Sequence, residues 1–114
     1  MSNEKRLVRH LLLATLATFE LQSALAGDVA AARTKVQTLC QVCHGFDGVA
    51  VLPGAANLSG QQREYLVTQL RAFRSGSRVE AQMSVVAKTL SDVDIENLAE
   101  WYAAIKVSVE MPKE

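Results

Sequence analysis

The chain has 114 residues, too few for more than one domain once its ends are discounted. It is 49% apolar and 21% charged, with 12 cationic against 12 acidic side chains. A nucleic-acid binder carries a basic excess, so this balance excludes that class.

The chain opens on a leader. Lys5, Arg6 and Arg9 face only Glu4 in the first ten residues, and they head the apolar run Leu11–Phe19. Ala24-Leu25-Ala26 then supplies a small-x-small site. Basic head, short apolar middle and small-residue site are the parts of a secretory signal peptide. The nine apolar residues are too few to cross a hydrocarbon core, which takes about 20 in a helix. The expectation is a signal peptide over residues 1–26 and a domain over residues 27–114. Cleavage after Ala26 would leave a periplasmic protein with no membrane insertion.

The first helix of that domain is predicted to start at Asp28, a good N-cap residue. Val29, Ala32, Val36, Leu39, Cys40 and Cys43 follow at steps of three and four, or side by side, and form its buried stripe. Gly45 and Gly48 end helical order, and a loop runs through Pro53-Gly54. A second helix is predicted to open at Ser59, with Ser59 and Gln62 spaced as a capping box. Leu66, Leu70 and Phe73 make its inner face, and Ser75-Gly76-Ser77 stops it. A short helical stretch falls between Ala81 and Leu90. The last helix has Ser91 as N-cap and Asp92, Asp94 and Glu96 at its positive end. Ile95, Leu98, Tyr102 and Ile105 line one side of it, and Val107 to Glu114 reads as a frayed tail. No run alternates as a strand does. The expected fold is all-α, three to four helices around a long glycine-bearing loop.

Chemistry concentrates at Cys40-Gln41-Val42-Cys43-His44. Cys-x-x-Cys-His is the attachment sequence for c-type haem. Two thiols one turn apart can add to the two vinyl groups of a porphyrin, and the next imidazole is carried under the iron. A disulfide between Cys40 and Cys43 would leave His44 without a purpose. A dithiol redox pair belongs near a βαβ pattern, which this sequence lacks. Zinc needs four ligands, and the mature chain has two Cys and one His, because His10 lies in the leader. One haem c, covalent through two thioethers, is the expected cofactor.

The occupant of the second axial position decides the function. A methionine thioether raises the potential and closes the iron to small ligands, whereas an empty position admits them. Beyond the leader only Met83 and Met111 are available. Met111 lies near the end of the chain, and Met83 sits between the second and last helices. Spacing alone leaves Met83 equally readable as a flexible core filler.

These residues resemble the class I c-type cytochromes, especially the small bacterial periplasmic domains found singly or in tandem. The matching text is Cys40 to His44, Gly45-Phe46-Asp47-Gly48, Leu58-Ser59-Gly60-Gln61, Tyr65-Leu66, Gln69-Leu70, Phe73-Arg74 and Gly76-Ser77-Arg78. It resumes at Met83, at Leu90 to Ile95 and at Leu98-Ala99. The resemblance implies a small cytochrome c fold around one haem, with His44 and Met83 as axial ligands. It also implies first and last helices that cross beside the haem, helped by Trp101 or Tyr102. Two positions depart from the family pattern, with Ala56 and Ala81 where proline is common. The Ala56 carbonyl can still hold the proximal imidazole, and the loop before Met83 should be softer.

The function this implies is a soluble electron carrier, not an enzyme, that meets its redox partners transiently at the exposed haem edge as a monomer. The alternatives are a haem subunit of a larger redox complex, or a ligand-binding or peroxidatic haem protein if Met83 is not ligated. Val49-Ala50-Val51-Leu52 reads either as the rim of a docking contact or as cover over the haem. Arg71, Arg74 and Arg78 share one helix face and read first as a solvated face. Steering an acidic partner or pairing with a haem propionate is the alternative use of that face.

Overall fold

The structure, a computed structural model, describes residues 27–114; the predicted signal peptide lies outside the described residues. The described chain is helical, with no strand among these residues.

Helix α1 (Val29–Lys35) starts where Asp28 predicts, because the Asp28 carboxylate accepts from the amides of Ala30 and Ala31. It continues without a break through a π-helical stretch, Val36–Cys40, into the four-residue α2 (Gln41–His44). At the widened turn the Gln41 amide reaches back to the Val36 carbonyl. Ala32 and Val36 are fully buried, whereas Val29, placed on the same stripe by its spacing, is 40% exposed. Val29 is the first residue of the helix.

Helix α3 (Arg63–Ser75) begins later than predicted, with Gln62 rather than Ser59 at its N-cap. Ser59 does not cap it: its hydroxyl donates to the carbonyl of Asp47, and residues 59–60 form a turn. Leu66 and Phe73 are buried as expected, and Val67 joins them. Gly76 closes α3 in the left-handed conformation, with its amide on the Ala72 carbonyl. The short helix α4 is Met83–Lys88, and α5 is Asp92–Ala103. Ser91 is the N-cap of α5 as predicted, and Asp94 completes a reciprocal box with it, each side chain accepting from the other's amide.

One apolar cluster joins these helices: Ala32 and Val36 from the first, Leu66 and Val67 from α3, Leu90 from the segment before α5, and Ile95, Leu98, Ala99 and Tyr102 from α5. Small side chains at Ala32 and Ala99 let α1 and α5 cross closely. Polar contacts flank the crossing: the Asp28 amide donates to Asn97 Oδ1 at 2.6 Å, and Lys35 pairs with Asp94 at 3.2 Å. Arg63 binds Glu96 and Glu100 together and fastens α3 to α5. The segment after Ala103 has no regular structure, as its sequence suggests.

Candidate haem site

His44 ends the first helical rod, and Gly45 turns the chain with φ 74° and ψ 153°, a combination that only glycine adopts easily. A Cβ at Gly45 would stand 2.2 Å from the Val49 carbonyl oxygen. Gly48 also has positive φ, and a Cβ there would meet the Ser59 amide at 2.6 Å and the Tyr102 ring at 2.9 Å. Glycine is therefore required at both corners of this loop.

The loop is fixed by donors from elsewhere in the chain. Tyr102 Oη donates to the Gly45 carbonyl at 3.2 Å, and Trp101 Nε1 donates to the Phe46 carbonyl at 3.2 Å. The Phe46 ring packs edge-on against Trp101, with centroids 4.9 Å apart, and the Arg33 guanidinium lies over it at 5.3 Å. Both aromatic residues singled out on the last helix thus hold the loop that follows His44. The Leu58 amide donates to the Gly48 carbonyl at 2.7 Å, and Asn57 Oδ1 accepts from the Ala50 amide at 2.8 Å.

This frame presents the histidine. His44 Nδ1 lies 2.7 Å from the carbonyl oxygen of Ala56. A carbonyl only accepts, so Nδ1 carries the proton and Nε2 keeps a free lone pair. The bond expected of Ala56 is present without a proline.

Cys40 and Cys43 are both free thiols, with no disulfide between them. Burial pushes the Cys40 thiol up to about 11, partly offset by a hydrogen bond with Tyr102. Among the described residues no three His, Cys, Asp or Glu side chains converge as a metal cluster.

Met83 opens α4 and is partly buried. Its amide donates to Glu80 Oε2 at 2.8 Å, and the Gln82 amide donates to the same oxygen at 2.9 Å. These bonds hold the Glu80 carboxyl below its ordinary value, that to Met83 contributing most. Glu80 escapes a reading of the sequence because Glu is not among the preferred N-caps.

The residues present suit a haem. Val49, Val51 and Leu52, in the loop after His44, and Val79 and Val85, either side of Met83, are exposed. Apolar surface left open on the segments that bear a free imidazole nitrogen and a thioether matches a flat apolar cofactor.

Arg71 and Arg74 of α3, and Arg78 just beyond it, all have partners within the chain. Arg71 pairs with Glu96, and Arg74 binds Asp92 and the Leu90 carbonyl. Arg78 lies over Phe73 at 4.5 Å and donates to Gln69. Arg71 and Arg74 tie α3 to α5, while Arg71 and Arg78 stay exposed, as expected of a solvated face.

No family model matches the chain. It is 42% identical over 82 residues to cytochrome c-554(548) of Halomonas halodenitrificans, covering 69% of this chain and 98% of that protein. Over 100 residues it is 38% identical to cytochrome c4 of Pseudomonas aeruginosa, covering 88% of this chain and 49% of that one. Among solved structures, reduced recombinant cytochrome c4 from Pseudomonas stutzeri matches with a TM-score of 0.66 at 35% identity, over 74% of this chain and 48% of that chain. The chain spans about half the length of the cytochrome c4 relatives, and nearly all of cytochrome c-554(548).

Proposed function

The chain belongs to the class I c-type cytochromes, and from that premise we propose that it is a periplasmic one-electron carrier, not an enzyme, holding one haem c. Cys40 and Cys43 would supply the thioethers, and His44 Nε2 and the Met83 sulfur would hold the iron. The observation that carries the reading is the 2.7 Å bond from His44 Nδ1 to the Ala56 carbonyl, at the end of a Cys-x-x-Cys-His helix.

When bound, the haem iron supplies the Fe(II)/Fe(III) couple, and no group of the protein need act as acid, base or nucleophile. The chain's work is to hold ligands still. The Ala56 carbonyl fixes the imidazole tautomer and raises its basicity. The Met83 sulfur favours the reduced state and closes the position to small molecules. Val49, Val51 and Leu52 keep water from the cofactor, and with it the reorganisation that electron transfer would otherwise require. The signal-peptide pattern in the sequence of residues 1–26 supports the periplasmic assignment, and no helix among the described residues is long and apolar enough to cross a membrane.

Haem retention on a denaturing gel, followed by a redox titration, tests this reading. The expected result is covalent haem with a single reversible one-electron wave and a reduced form slow to bind carbon monoxide. Haem that is lost on denaturation would overturn it.

A further inference from the structure

Met83 stands at the start of a helix only six residues long, and one carboxylate organises that start. Glu80 Oε2 accepts from the amides of Gln82 and Met83 at 2.9 and 2.8 Å. In return the Glu80 amide donates to Ser84 Oγ at 3.1 Å, and the Ser84 amide donates to the Glu80 carbonyl at 2.9 Å. Four bonds therefore close one turn around Met83. They satisfy two of the amides that a helix start leaves without partners.

This turn lacks the ring that would otherwise stiffen it. Ala81 has no fixed φ, whereas a proline there would hold the approach to Met83 by covalent restraint. Methionine itself adds three freely turning bonds, so the position of its sulfur depends on how firmly its backbone is held. Val79 and Val85, its flanking apolar residues, are 81% and 66% exposed and give little packing support. The described hydrogen bonds of the Glu80 carboxylate are to backbone amides of this turn.

We propose that Glu80 is a positioning residue for Met83: its carboxylate does by hydrogen bonding what proline does by ring closure, and so sets how often the sulfur leaves the iron. The inference rests on the reading of Met83 as an axial ligand. It predicts that Glu80 acts on ligand opening more than on the fold, because its bonds stay within one turn.

Carbon monoxide binding to the reduced holoprotein measures that opening, with Met83→Ala as the reference for a permanently open site. Glu80→Ala should bind about tenfold faster than wild type, the usual effect of losing an N-cap on a local equilibrium. Its ferric sulfur-to-iron charge-transfer band should weaken. Glu80→Asp, which keeps a capping carboxylate, should restore both towards wild type. If Glu80→Ala does not mature with haem, Glu80→Gln gives the same reading with a smaller increase. A Glu80 variant with a lowered thermal midpoint but a wild-type carbon monoxide rate overturns the proposal and leaves a cap that serves only the fold. Wild type that binds as fast as Met83→Ala removes the ligand reading instead, and this proposal with it.

Discussion

The backbone after His44 is tied to parts of the chain far away in sequence, whereas the backbone before Met83 is tied to its own neighbours. Gly45 and Phe46 receive bonds from Tyr102 and Trp101, and Asp47 and Gly48 from Ser59 and Leu58. Every hydrogen bond described for residues 80–84 closes within a few positions. Non-local bonds open only when the helices separate, and local ones open by fraying. The two proposed axial ligands should therefore differ in lability, the histidine following global unfolding and the methionine a local event.

The strongest way to break the His44 side is at its corner. Gly45→Ala drives a Cβ to 2.2 Å from the Val49 oxygen in a conformation that only glycine tolerates. It should cost about 3 kcal/mol, lowering the thermal midpoint by roughly 12–24 °C. Gly54→Ala is the control: its φ is also positive, at +85°, but nothing lies within 4 Å. About 1 kcal/mol is expected there.

Tyr102→Phe comes next. It leaves the Gly45 carbonyl without its buried donor at a cost of about 1–2 kcal/mol in denaturant unfolding. The carbon monoxide rate should not change, because the Met83 turn shares no bond with Tyr102. A faster rate would dissolve the contrast between the two sides. Arg74→Ala, which releases the Leu90 carbonyl and Asp92 together, should cost about 1 kcal/mol. Salt should reduce only the ionic part of that loss.

The smallest effect is the pH dependence of that same pair. The Arg74 guanidinium holds the Asp92 carboxyl below the ordinary aspartate value of 3.8. A depressed value contributes stability that is present above 3.8 and is lost as pH falls through the folded value. Asp92→Asn should thus be slightly less stable than wild type at neutral pH. The two should converge below that window in acid unfolding.

How much of this was legible in the sequence divides along the same line. Signals carried by neighbouring residues read correctly: the Asp28 and Ser91 caps, the Gly76 stop, and the Cys40–His44 attachment motif. Misreadings arose where a distant partner claimed the group. Ser59 has the spacing of a cap, yet its hydroxyl serves the Asp47 carbonyl. Arg71 and Arg74 read from spacing as free charges until Glu96 and Asp92 of α5 meet them. The π turn was hidden for another reason. One extra residue in a turn leaves the steps of three and four among apolar positions unchanged to the eye, while it re-aims Cys43 and His44.

The central claim is a haem held by His44 and Met83, and one absorption measurement tests it most directly. The ferric holoprotein should show the sulfur-to-iron charge-transfer band in the far red, and Met83→Ala should abolish it while the covalent haem remains. A wild-type spectrum without the band, or a band that survives in Met83→Ala, would contradict the account.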